Sequence, residues 1–185
     1  MNTALVLVDI QQDYFPKGRM EVVGAVEAGR AAIRLLNHFR EKQLSVVHVQ
    51  HISTRPDATF FLPDTEGIDF YEGVMPLPDE KVIKKHFPNS FRDTRLNDYL
   101  ASRGIEKLVI CGMMSHMCID ATVRAAFDMG YACIVAHDAC AARSLAFNGI
   151  DIPAPQVHGA YMAALGAVYA KVLSAEEIIG TMNIP

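Results

Sequence analysis

The chain has no tryptophan and no apolar run near the roughly 18 residues that a membrane span requires, so no membrane partner is expected. Positive charge is scarce. Seventeen Lys and Arg stand against 21 Asp and Glu, leaving a formal net charge of -4 with no basic block to follow a phosphate backbone, which argues against nucleic acid as a partner. Cysteine pairs of the C-x-x-C type are absent among Cys111, Cys118, Cys133 and Cys140, which excludes a zinc ribbon or a disulfide framework. No basic region precedes the first apolar run, and Asp9 interrupts that run early. The amino terminus therefore reads as a strand rather than a signal peptide, and a cytoplasmic protein is expected. A G-x-G-x-x-G turn after the first strand is also missing, which removes the sequence signature of a dinucleotide site.

What is present is an ordinary globular composition, 51% hydrophobic and 21% charged, in 185 residues, a length suited to a single domain spanning residues 1–185. Four runs rich in Val, Ile and Leu (Ala4 to Val8, Val46 to Val49, Leu108 to Cys111, Ala132 to Val135) have the character of strands buried on both faces. Helical spacing falls between them: Val22 to Lys42, Arg95 to Gly104, Ser115 to Gly130 with Cys118, Thr122, Ala125 and Met129 on one side, and Ala154 to Val168. A short strand at Lys171 to Leu173 and a capping box at Ser174-Ala-Glu-Glu177 complete the pattern. Alternating strands and helices predict an α/β fold, a three-layer αβα arrangement on a mainly parallel sheet. The segment Ile52 to Glu80, broken by four prolines and two glycines, predicts an irregular functional loop.

Ligands of an open parallel sheet bind beyond the carboxyl ends of its strands. Asp9 follows the first run, Lys84 and Lys85 follow Val82-Ile83, and Cys118 follows the third run by a short turn. With Ser115 as helix cap, Cys118 would lie in a first helical turn, where free N–H groups and the positive dipole end favour a thiolate. The same groups could hold an oxyanion. A buried structural cysteine is an equally good reading of position alone. Asp9 could act as general acid and base, or cap a helix as Asp13 could. Lys85 or Lys84 could fix the charge balance.

Four ordered segments decide between these readings: VLVDIQQDYF, VIKKHFPNSFRDTRL, VICGMMSHMCIDATVRAAFDMGY and VAHDAC. Through them the chain resembles the isochorismatase-like cysteine hydrolases, a Rossmann-like group that includes nicotinamidases and N-carbamoylsarcosine amidases. The resemblance implies a catalytic Asp, Lys, Cys triad carried by Asp9, Lys85 and Cys118, and a cis non-proline bond between Met113 and Met114. It also implies an oxyanion hole from the N–H groups of Met114 and Cys118. Lys85 is preferred over Lys84 by its distance from Asn89-Ser90-Phe91.

Nicotinamidases of this kind hold a divalent metal through an Asp-x-His strand end, but the corresponding text here is His48-Val-Gln-His51. Residues three apart on a strand face opposite sides, so His48 and His51 make a poor pair, and no metal or other cofactor is expected. Around the thiol, Phe15, Phe60, Phe61 and Phe87 are candidates for an apolar wall, His116 and His86 for pocket residues, and Gln11 for a hydrogen bond that orients the acid. Arg55 or Arg92 could meet an anionic substrate. The expectation is a hydrolase of a small amide-like molecule, with a vinyl ether hydrolase or a non-catalytic binding protein as the alternatives. The helix VHGAYMAALGAVYA, apolar nearly all round, points to a homo-oligomer.

Overall fold

The computed structural model describes residues 2–182. Strands β1 (Asn2–Val8), β2 (Ser45–His51), β3 (Lys81–Lys85), β4 (Ile105–Met113), β5 (Ala132–Ala141) and β8 (Lys171–Leu173) form one sheet in the order β3-β2-β1-β4-β5-β8. Every neighbouring pair is parallel. A separate antiparallel hairpin joins β6 (Leu145–Phe147) to β7 (Ile150–Ile152), an element that the sequence pattern did not reveal because its apolar residues lie outside the core. Strand β3 was half hidden for a related reason: at the edge of the sheet it holds only Val82 and Ile83 between flanking lysines instead of an apolar run.

Alternation along β1 divides the interior in two. Leu5 and Leu7 pack with Leu35, Leu36 and Phe39 of α1 (Ala25–Glu41) and with Ile178 of α5 (Ala175–Met182). Ala4, Val6 and Val8 face the other way, toward α2 (Leu96–Ser102), α3 (Asp120–Asp128) and α4 (Ala154–Val168), which contribute Leu100, Val123 and Leu165. A central strand with both faces covered must be apolar at every position, which is why ALVLV shows no period of two. The capping box forms as expected: Glu177 N–H donates to Ser174 Oγ at 3.2 Å, and Ser174 N–H donates to Glu177 Oε2 at 2.7 Å.

One helix departs from expectation in a way that matters for the site. Residues Ser115–Ile119 form a single π turn before α3 begins. Ser115 does not cap it: its hydroxyl donates to Ala141 O at 3.1 Å and meets His158 Nδ1 at 2.8 Å, tying the turn to β5 and α4. The wider turn rotates the faces of α3. Cys118, Thr122, Val123 and Ala126 are buried, while Met129, expected on the inner stripe, is 49% exposed.

The segment after β2 contains no strand and only two short 3-10 turns, Glu66–Ile68 and Glu72–Val74. Asp13 fastens it. Its carboxylate accepts from Phe61 N–H at 2.6 Å and from Arg19 N–H at 3.1 Å, joining two loops over the carboxyl edge of the sheet.

Candidate active site

Asp9, Lys85 and the turn carrying Cys118 stand just beyond or at the carboxyl ends of β1, β3 and β4. Asp9 has a left-handed backbone (φ 53°), a conformation that Asp tolerates better than most residues, and its N–H donates to Val49 O at 3.1 Å. On β4 the approach is tighter still: at Gly112 (φ 127°) any Cβ would run into the carbonyl of Val8. Only glycine allows β1 and β4 to stay this close where the chain leaves the sheet for the thiol. One residue further on, the Met113-Met114 bond is cis, as the resemblance implied.

Lys85 Nζ lies 2.9 Å from Asp9 Oδ2, and both side chains are completely buried. Alternation along β3 decides between the two lysines: Lys85 points inward and Lys84 is exposed. The Lys85 ammonium also donates to Pro88 O at 2.7 Å, which positions the loop after β3. That loop is held from the nucleophile side as well, because Ser90 N–H donates to Thr122 Oγ1 at 3.1 Å and the two hydroxyls meet at 2.8 Å. Thr122 sits one helical turn past Cys118.

Cys118 is 4% exposed, and its Sγ lies within 4.8 Å of an Asp9 carboxylate oxygen. Burial pushes the thiol upward, the Asp9 carboxylate adds to the rise, and Lys85 opposes it. This corrects the expectation of a thiolate activated by the helix start. The neutral thiol is the resting form, because it shares one dry site with a carboxylate. Burial also acts to raise Asp9, but the Lys85 charge together with His51 and the thiol holds it below the ordinary carboxylate value. Lys85 stays above the ordinary lysine value through the Asp9 charge, despite burial acting the other way. The resting set is therefore carboxylate, ammonium and thiol.

A cavity of about 280 Å³ opens onto Cys118. Phe60, Phe87, Met114 and Met117 supply its apolar wall, with Tyr14 and His51 beside the thiol. Phe60 and Phe87 are where the sequence placed them. Phe15 is not: it is 2% exposed in the core, stacked on Tyr71 with ring centroids 3.7 Å apart and lying against the bare backbone of Gly29. Its neighbour Tyr14 faces the cavity instead. Phe61 is likewise wholly buried in the core.

Gln11 does not touch the acid. Its amide donates to His51 O and Ile68 O, both at 2.9 Å, and accepts from His51 N–H at 2.7 Å, so it ties β2 to the loop segment. His116 does not line the cavity either; its ring lies edge-on to Tyr161 of α4, with centroids 6.0 Å apart. His86 does, with Nδ1 2.7 Å from Ile52 O. Arg55 stands at the rim, paired to Asp57 through contacts of 2.7 and 3.1 Å, while Arg92 covers the Phe87 ring at 3.6 Å.

His51 is the member that sequence reasoning passed over, having weighed it only as a metal ligand. Its Nδ1 lies 3.8 Å from Asp9 Oδ2, whereas His48 turns away to Glu80 at 2.8 Å. Alternation along β2 could have separated them once Asp9 was placed on the neighbouring strand. Among the described residues, Asp9, His51 and Cys118 are the one set whose donor atoms come within 4.8 Å of one another. They do not suit a divalent cation, because the Lys85 ammonium already engages the carboxylate at 2.9 Å.

Known proteins resemble this chain in sequence and in fold. The sequence profile of the isochorismatase domain matches residues 3–177. An uncharacterized isochorismatase family protein of Bacillus subtilis is 51% identical over 97% of this chain and 99% of its own length. The crystal structure of an isochorismatase from Pseudomonas putida superposes with a TM-score of 0.90 at 36% identity, covering 95% of this chain and 89% of that one. An N-carbamoylsarcosine amidase from Thermoplasma acidophilum gives a TM-score of 0.81 at 26% identity, covering 95% and 98%.

Proposed function

The chain belongs to the isochorismatase family of hydrolases, and from that premise we propose that it cleaves a small amide-like C–N bond through a thioester on Cys118. The single observation that carries the reading is the buried contact of Lys85 with Asp9 beside a free thiol at the floor of a cavity. Likeness to an N-carbamoylsarcosine amidase supports C–N chemistry, and likeness to an isochorismatase keeps vinyl ether hydrolysis as the second reading.

In this mechanism Asp9 takes the thiol proton as Sγ attacks the carbonyl carbon, so the nucleophile is generated only when substrate is in place. The N–H groups of Met114 and Cys118 receive the oxyanion. Collapse of the intermediate breaks the C–N bond, and Asp9 returns the proton to the departing nitrogen. Water then attacks the thioester, giving a proton to Asp9, and the thiolate leaves and is reprotonated. Lys85 keeps the carboxylate ionised between these transfers and balances each negative charge that forms.

Release of ammonia from a panel of small primary amides tests the reading. Wild-type protein turns over at least one of them, and Asp9→Asn and Cys118→Ala do not; equal turnover by Cys118→Ala removes the mechanism. Four free thiols suit a reducing compartment such as the cytoplasm. Residues 1–185 act as one domain in this proposal, and one cooperative unfolding transition is its measure. A homo-oligomer is also proposed, because Phe147 and Ile150 of the hairpin and Val168 of α4 are all more than 60% exposed. Light scattering at the monomer mass would end that proposal.

A further inference from the structure

Among the described residues, the one Lys or Arg side chain that lines the cavity is met by a carboxylate. At its rim Arg55 meets Asp57, and Lys85 meets Asp9 in the buried site beside Cys118, leaving, among the described residues, no Lys or Arg in the lining without a carboxylate partner. The wall between these pairs is made of Phe60, Phe87, Met114 and Met117, with hydroxyls at Tyr14, Ser53, Thr54 and Thr59. An anionic group entering here would lose its hydration without gaining a cation, a cost that a neutral apolar group avoids.

We infer that the cavity selects uncharged amides with a compact apolar or aromatic acyl group, and that Asp57 enforces this by neutralising Arg55 at the entrance. The inference rests on the amide hydrolase reading above and narrows its substrate class. Tyr14 fits the same role: it is 2% exposed, with its ring 5.9 Å from that of Phe60, and burial next to Cys118 and Asp9 keeps its hydroxyl protonated as a donor. An exposed Arg–Asp pair is weak, so replacing Asp57 frees the guanidinium with little effect on the fold.

The test does not require the substrate to be known. Iodoacetamide and iodoacetate place the same reactive carbon on Cys118 with a neutral or a negative tail; the S–C bond forms, iodide leaves, and the thiol proton goes to Asp9 or solvent. Their rates are measured by peptide mapping at pH 8 and divided by the rates for 2-mercaptoethanol under the same conditions. The expected preference for iodoacetamide exceeds that of the free thiol by about tenfold or more, and Asp57→Ala reduces it by at least about threefold. The N-benzyl amide of iodoacetic acid is expected to react at least about fivefold faster than iodoacetamide, a gain that Phe60→Ala removes. A preference equal to that of the free thiol, or one indifferent to Asp57→Ala, overturns the inference while leaving the hydrolase reading in place. Failure of every reagent to modify Cys118 also overturns the inference, whereas the hydrolase reading falls only if no amide is turned over in the ammonia assay.

Discussion

Lys85 Nζ and Asp9 Oδ2 meet at 2.9 Å with neither side chain open to solvent, although the two residues are on strands separated by β2 in the sheet. Such a pair is a poor source of net stability but costly to break from one side. Asp9→Asn and Lys85→Met are each expected to lower stability by about 3–5 kcal/mol, because each strands one buried charge. The double variant should lose much less than the sum. Urea unfolding of the four proteins measures the coupling, and strict additivity would contradict it.

The directions of the shifts at Asp9 and Lys85 also set a pH profile. Asp9 is held below the ordinary carboxylate value and Lys85 above the ordinary lysine value, so the acid-base set keeps its resting form over a wide interval. The expected kcat/KM is flat from about pH 5 to about pH 9, since this parameter reports groups of the free enzyme. A bell with both limbs near neutrality would be the opposite result. Because burial raises the Cys118 thiol, its alkylation without substrate should climb toward alkaline pH instead of levelling off near pH 7.

Acid should loosen the contact between the middle of β2, α1 and the segment before β3. Glu80 accepts from Arg40 Nε at 2.7 Å and lies 2.8 Å from His48 Nε2, and these partners, with Leu77 N–H, bring it down to about 2 against the pull of burial. A carboxyl depressed in the folded state stabilises above its unfolded value and loses that contribution as pH falls through the folded one. Stability is therefore expected to drop by on the order of 1–3 kcal/mol between about pH 4.5 and pH 2, and Glu80→Gln should flatten that limb. Thermal melts across this range measure it.

Asp13 is expected to act on binding through the loop it holds. Its 2.6 Å contact with Phe61 N–H anchors the residue next to Phe60, which lines the cavity. Asp13→Ala should raise KM several-fold more than it lowers kcat, at a stability cost of about 1–3 kcal/mol for the stranded N–H groups. An unchanged KM would mean that the loop needs no such anchor.

Much of the sheet was legible because strands buried on both faces must be apolar throughout, and ALVLV, VVHV and LVIC stand out for that reason. Asp9, Lys85 and Cys118 were legible as polar residues placed just after such runs, and the ordered motifs chose among the candidates. Three things were not. The π turn at Ser115–Ile119 leaves no periodic trace over five residues, so spacing places the thiol in an ordinary first helical turn capped by Ser115. The choice between Phe15 and Tyr14 depends on the twist of a short 3-10 turn, which spacing does not encode. Gln11 lies near Asp9 in sequence and His116 near the thiol, but their partners lie on elements remote in the chain, and only the assembled fold reveals that they brace the structure.

The most direct test of the account is acid-quenched mass spectrometry of the protein during turnover of an amide, with the digest searched for acyl groups. The account predicts an acyl mass on the peptide bearing Cys118, absent in Cys118→Ala and strongly diminished in Asp9→Asn. Sustained turnover with no acyl mass on that peptide, together with hydrolysis by Cys118→Ala at the wild-type rate, would contradict it.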